Sequence, residues 1–253
     1  MHRNPMATEA AGMTMATPPI GLVHHTKKVI YPGPASHHQK LEFARNNAAN
    51  FLSLANLLMG LCSILCNLNG YWHWACWLLL VGFMLDLADG AVARQLNTCS
   101  ALGAKLDDFA DFTSFGLATA LLLHTNGTMD ALLVVVYVMA VFTRLCFYAS
   151  GIPFMYRGLP CPYASAILSC ASLLTGRHLL VLRAIAVIMV LFMIDQGIYP
   201  HDKILESQAW KKIVFAGGVF MMLCSFTPLA CLYHLVWSMS YILFPEALWS
   251  FKV

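Results

Sequence analysis

The chain has 253 residues, 59% of them hydrophobic and 11% charged, with a formal net charge of +3 and a mean hydropathy of +0.68. A soluble domain carries roughly 25% charged residues and could not hide this apolar excess in its core. The small net charge, with no basic patch interleaved by aromatics, excludes nucleic acid as a partner; apolar residues that arrive in spans point to one helical membrane bundle.

Residues 1–45 are rich in Pro, Gly, Thr, Ala and His without a sustained period, which predicts a disordered cytosolic tail. It lacks the apolar core of a signal peptide, and its His24-His25 and His37-His38 pairs read as solvated. From residue 50 apolar stretches recur, predicting spans near 50–68, 72–93, 107–125, 130–149, 162–176, 178–197 and 212–228. An eighth near 230–248 depends on Thr227-Pro228, the breaker in the middle of the last 37-residue stretch. The fold class is therefore an all-α polytopic membrane protein of about six to eight transmembrane helices. Trp72, Trp74 and Trp77 read as an interfacial belt, and the nine cysteines, Cys62 and Cys66 among them, as small core residues.

The basic residues orient the bundle. Lys27, Lys28, Lys40 and Arg45 precede the first span, and Arg94 and Lys105 lie between the second and third. Arg157 follows the fourth span, and Lys203, Lys211 and Lys212 follow the sixth, all on one side of this topology. The positive-inside rule makes that side, with the tail and the 94–105 loop, cytosolic. The sequon Asn126-Gly127-Thr128 falls on the far side, close to the membrane.

Of twelve acidic residues, five (Asp86, Asp89, Asp107, Asp108 and Asp111) fall between positions 86 and 111. Asp86 and Asp89 are spaced i,i+3 and Asp107 and Asp111 i,i+4, so each pair shares a helix face. The pairs flank one short cytosolic turn, which lets four carboxylates converge just inside the membrane, with Asp108 a solvated neighbour. Carboxylates so placed are costly unless paired or metal-bound, and an all-oxygen set without nearby thiolate or imidazole suits Mg²⁺ or Mn²⁺. Gly90, Ala91, Ala93, Gly103 and Ala104 leave room for a bulky group, and Arg94 supplies a fixed cation. Taken as residues alone, the cluster suits either a phosphate-handling enzyme or an ion path through a transporter.

The run Asp86-x2-Asp89-Gly90-x2-Ala93-Arg94-x8-Gly103-x3-Asp107-x3-Asp111 resembles the signature of the CDP-alcohol phosphotransferases at every defined position. Three further stretches resemble the type II, CDP-diacylglycerol-dependent phosphatidylserine synthases. Asn50 to Gly60 is similar to their first-span motif, with Ala49 for proline and Ser53 for threonine; Asp111-Phe112-Thr113-Ser114-Phe115-Gly116 and Gly158-Leu159-Pro160-Cys161-Pro162-Tyr163-Ala164 resemble two others. The resemblance implies a CDP-alcohol phosphotransferase domain over 46–249, with Asp86, Asp89, Asp107 and Asp111 holding Mg²⁺ or Mn²⁺ and Asp111 also the catalytic base. It implies Gly90, Ala93, Arg94, Gly103 and Asn50 for the CDP donor, and Arg144, Asn56 and Ser114 for the acceptor.

It further implies transfer of a phosphatidyl group from a CDP-diacylglycerol-type lipid to a small alcohol, serine by family, with release of CMP. A homodimer is implied too, in the endoplasmic reticulum membrane if the source is eukaryotic. One run departs from the pattern: where that branch carries R-L-A-R-F-N, this chain has Arg144-Leu145-Cys146-Phe147-Tyr148-Ala149. Losing an arginine and an asparagine beside an acceptor pocket predicts weak use of serine, or an acceptor with less anionic character. The eroded run also keeps open a catalytically silent CDP-lipid-binding or scaffold protein.

Overall fold

A computed structural model describes residues 37–123, 127–147, 155–200, 209–224, 227–245 and 248–249. Most of the tail expected over residues 1–45 lies outside these, as do His24, His25, Asn126, Ala149 and Lys203. The chain divides into two compact units, Met1–Phe43 and Ala44–Val253. In the first, the described residues form the opening turns of α1, where His38 Nδ1 lies 4.0 Å from Glu42 Oε2.

Helices dominate the rest. α1 (His37–Leu68) and α2 (Trp72–Gln95) form a hairpin, followed by α3 (Ala101–Asp111). A π-helical segment, Phe112–Ala118, runs on into α4 (Thr119–Leu122). Then come α5 (Thr128–Phe147), β1 (Met155–Arg157), α6 (Cys161–Thr175) and α7 (Leu179–Ile194). β2 (Ile198–Pro200), α8 (Ala209–Cys224) and α9 (Pro228–Leu243) complete the order. The described parts of α1, α2 and α5 are long and apolar enough to cross a membrane, and α6, α7 and α9 are shorter apolar helices. The chain is an all-helical, multi-pass membrane protein carrying one short ribbon.

α1 shows how such a helix differs from one in a soluble protein. Its buried stripe is polar or small (Ser53, Asn56, Gly60, Ser63), whereas Phe51, Leu54, Leu58, Leu61 and Leu65 are exposed. Lipid tails are as apolar as leucine, so close approach and hydrogen bonds, not hydrophobicity, bring this helix to its neighbours. Ser63 Oγ donates to the Ala75 carbonyl at 2.9 Å, and Asn67 Nδ2 to the Leu121 carbonyl at 2.7 Å.

α6 is the centre of the bundle, buried from Cys161 through Ser172 and packed on α2, α7 and α9. Gly176 ends it in the left-handed conformation at φ 61°. On the side opposite the motif loop, the buried Asp130 of α5 is held bidentately by Arg183 of α7, at 2.6 and 2.8 Å.

The last stretch resolves into two helices, because Thr227 is extended and Pro228 opens α9, where its missing N–H costs no hydrogen bond. The third span begins at Ala101, earlier than the sequence suggested, since Ser100 Oγ accepts the Gly103 N–H at 3.0 Å and caps α3. Trp77 is not part of an interfacial belt: it is buried in the core, whereas Trp74 is exposed. Lys211 also departs from the loop expected for it. It lies in the first turn of α8, buried, with Nζ donating to the Trp249 carbonyl at 2.9 Å.

β1 and β2 were not legible in the sequence. They pair antiparallel in the register Met155↔Pro200, Tyr156↔Tyr199 and Arg157↔Ile198. Gly158 follows with φ 69° and donates its N–H to the Gly197 carbonyl at 2.8 Å. A Cβ there would strike the Met193 carbonyl, so the turn requires glycine. Tyr241 of α9 donates to the Pro200 carbonyl at 2.7 Å and stacks on Tyr163 at 4.0 Å. The ribbon is thereby fixed to α6 and α9.

Candidate active site

α2 presents Asp86, Asp89, Gly90 and Arg94 on one face, and α3 brings Asp107 and Asp111 against it. Carboxylate oxygens of Asp86, Asp89 and Asp107 lie within 4.8 Å of one another. Asp111 lines the same cavity and comes within hydrogen-bonding reach of Asp86. All four motif aspartates therefore converge, as their spacing predicts, and Asp108 points to solvent.

α1 supplies two supports that the sequence reading had not assigned to the aspartates. Ser53 Oγ donates to Asp89 Oδ2 at 2.6 Å. Asn56 Nδ2 reaches Asp86 Oδ1 at 3.4 Å, and Asn56 Oδ1 is buried without a hydrogen-bond partner among the described residues. Asn56, expected to touch the acceptor, instead stands behind a motif carboxylate.

The cavity that holds these four acids holds two cations, Arg94 and Arg144. Negative charge is in excess, and like carboxylates at such separations repel strongly in a partly buried site. Three converging oxygen donors, two of them braced by α1, suit a hard divalent cation such as Mg²⁺ or Mn²⁺. The donor set fits the group that the sequence implies.

On the α1 side of the aspartates lies a cavity of about 180 Å³, lined by Asn50, Ser53, Ala93, Arg94, Thr98 and Gly103 among others. The motif's small residues make room here for other side chains of the site. A Cβ on Gly90 would sit 3.1 Å from the Arg94 guanidinium nitrogens, and one on Gly103 3.0 Å from Asn50 Oδ1. The structure gathers every residue expected at the CDP donor (Asn50, Gly90, Ala93, Arg94 and Gly103) around this one space, and adds Ser53 and Thr98.

The cavity that holds all four aspartates is the smaller one, of about 90 Å³, closed by Arg144, Tyr156, Pro160 and Pro162, and Asp89 and Asp107 line both. Arg144 is only 8% exposed. Its Nη1 donates to Cys161 Sγ at 3.6 Å, and its guanidinium carbon lies 5.3 Å from the Tyr156 ring centroid. Ser114, grouped with Arg144 by the sequence reading, is elsewhere: it is fully buried, donates to the Asn56 carbonyl at 3.0 Å and lines neither cavity. Phe147 is also displaced from its expected place at the acceptor pocket. The last described residue of α5, it is 74% exposed and lines neither cavity.

Tyr156 gave no sequence signal, because its approach depends on β1 pairing with a strand some forty residues later. Ser53 and Cys161 did lie inside recognised motifs, Ser53 at a position where the motif has threonine and Cys161 at one that its motif leaves variable.

Comparison with known proteins agrees with this geometry. Residues 46–249 match the family model of CDP-alcohol phosphatidyltransferases. The human protein named Transmembrane protein 269 is 51% identical over 77% of this chain and 96% of its own length. The mouse protein of that name is 47% identical over 84% of each. The CDP-diacylglycerol–serine O-phosphatidyltransferase of Bacillus subtilis is 30% identical over 63% of this chain and 96% of its own. With four fifths of its length matched and the motif aspartates facing one cavity, this chain belongs to the CDP-alcohol phosphatidyltransferase family.

Proposed function

We propose that the protein transfers a phosphatidyl group from CDP-diacylglycerol to a small alcohol, serine in the first instance, and releases CMP. The observation that carries this reading is the convergence of Asp86, Asp89, Asp107 and Asp111 on a cleft shared with Arg94. The site would face the cytosol, since Arg94 and Lys105 flank the motif loop. By family resemblance the protein would act as a homodimer, and in the endoplasmic reticulum if eukaryotic.

In this reading the nucleotide occupies the cavity formed by Asn50, Ala93 and Gly103, and Arg94 faces the pyrophosphate. Asp86, Asp89 and Asp107, with Asp111 contributing, would hold Mg²⁺ or Mn²⁺, which neutralises the pyrophosphate and polarises its oxygens. Ser53 and Asn56 fix the carboxylates that do so. Asp111 accepts the proton of the acceptor hydroxyl as that oxygen bonds to the phosphorus bearing diacylglycerol. The bond from that phosphorus to the bridging oxygen of CMP breaks, and CMP leaves with the electron pair. Asp111 then returns the proton to solvent. Arg144 lines the cavity of the aspartates, where in this reading it would meet the serine carboxylate.

Purified protein supplied with CDP-diacylglycerol, Mn²⁺ and a panel of alcohols tests the reading by CMP release. Serine-dependent CMP and phosphatidylserine are expected. Cation flux across proteoliposomes without CMP release would replace this reading with a transporter, and CDP-lipid binding without turnover would replace it with a silent binding protein.

A further inference from the structure

Arg144 is a buried cation held in an unusual way. Among the described residues its guanidinium makes two contacts, the Cys161 thiol at 3.6 Å and the face of the Tyr156 ring. A buried arginine ordinarily meets a carboxylate, because an uncompensated charge is costly away from water. Here neither support is anionic, and the opposing charge comes from Asp111, which lines the same cavity. Thiol sulfur is a weak hydrogen-bond acceptor, and a ring face attracts a cation without accepting its protons. Of the five N–H donors on a guanidinium, most remain for whatever enters the small cavity that Arg144 shares with Asp111.

The backbone around these supports is built to hold them. Cys161 is fully buried as the first residue of α6, directly after Pro160, whose extended backbone ends the turn begun by Gly158. Leu159 N–H donates to the Phe192 carbonyl at 2.9 Å, which ties the turn to α7. Tyr156 is carried by β1, in register with Tyr199 of β2. Two segments from beyond α5, each tied down by backbone hydrogen bonds, therefore converge on one side chain of α5.

We propose that Cys161 and Tyr156 are positioning residues that hold Arg144 toward the cavity without themselves neutralising it. They thereby set the selectivity of the site for acceptors with an anionic group over their neutral counterparts. This rests on the phosphatidyl-transfer reading for the word acceptor, but its physical content is a preference in binding. Serine at position 161 would keep the contact, with a stronger acceptor. Aspartate there would pair with the guanidinium and cancel the charge offered to a ligand.

The full-length protein with Mn²⁺ and CDP tests this by calorimetry, with serine against 2-amino-1,3-propanediol and glycerol 3-phosphate against glycerol as matched probes. CMP release from CDP-diacylglycerol is measured in parallel. Wild type should bind the anionic member of each pair more tightly. Cys161→Asp and Arg144→Gln should weaken that member roughly ten- to hundred-fold, the worth of a charged hydrogen bond, and leave the neutral one within about threefold. Cys161→Ser should keep the wild-type preference, Tyr156→Leu should lose part of it, and the KM for CDP-diacylglycerol should not move. If Cys161→Asp does not fold, Cys161→Ala and Tyr156→Leu carry the same comparison at smaller amplitude.

Equal binding of anionic and neutral probes by wild type would overturn the proposal. So would a Cys161→Asp or Tyr156→Leu protein that keeps the full preference, or one that loses both probes equally. Selective binding without CMP release supports the positioning role and sinks the transfer reading instead.

Discussion

Gly60 is the point at which helix packing and the candidate site meet. A methyl added there would fall on Ser114 Oγ and 2.8 Å from the Ser114 Cα. The hydroxyl can rotate aside, but only by leaving the Asn56 carbonyl to which it donates at 3.0 Å. The backbone cannot rotate aside. Ordinary contact begins at 3.4 Å, so α1 and the π-helical segment must part by about 0.6 Å. Overpacking of this kind costs about 1–3 kcal/mol, and the lost hydrogen bond about 1 kcal/mol more. Gly60→Ala should therefore lower the unfolding midpoint in detergent by on the order of 10 °C. The displaced turn also carries Asn56, whose amide supports Asp86. A misplacement near 1 Å at reacting groups costs about a hundredfold, so CMP release should fall roughly ten- to hundred-fold. Leu58→Ala, on the exposed face of the same helix, is the control and should change neither measurement. A Gly60→Ala protein with the wild-type midpoint and turnover would show that α1 does not transmit packing to the aspartates.

Asp111→Asn should keep CDP-lipid binding and lose turnover by roughly 10²–10⁴-fold, because an amide cannot take the acceptor proton; near-normal CMP release would remove Asp111 as base. Asp86→Asn and Asp107→Asn should weaken Mn²⁺ and donor binding together, read by calorimetry, since both face the shared cavity. Excess chelator should abolish CMP release and Mn²⁺ restore it; undiminished turnover in chelator would take the metal out of the reaction. Arg183→Gln should lower thermal stability more than Asp130→Asn, because it strands a buried carboxylate, whereas the reverse change leaves a partly exposed arginine. Equal losses would mean that the pair acts only through its shape.

Much of this protein is written locally. The apolar spans follow from runs that only lipid or a core can satisfy, and Thr227-Pro228 splits the last two helices because an extended cap and a missing N–H are properties of those residues themselves. The motif aspartates converge for the same kind of reason: i,i+3 and i,i+4 spacings on two helices joined by a short turn leave the carboxylates little choice of face.

What the sequence could not decide are the contacts between segments far apart in it. Ser53 and Asn56 brace Asp89 and Asp86 only because α1 buries its polar stripe, an inversion that apolar periodicity alone does not reveal when lipid replaces water. Phe147 reads as a lesion in an acceptor motif, yet its ring is exposed, and among the described residues of the run Arg144 lines the cavity. The π-helical turn after Asp111 places Ser114 against α1, since the wider turn resets which residues face inward. Tyr156 reaches Arg144 through a strand pairing that three residues of sequence cannot announce. Local sequence determines which helix face a residue occupies; the packing of distant segments determines which residue that face meets, because the contact energy belongs to both partners and is written in neither alone.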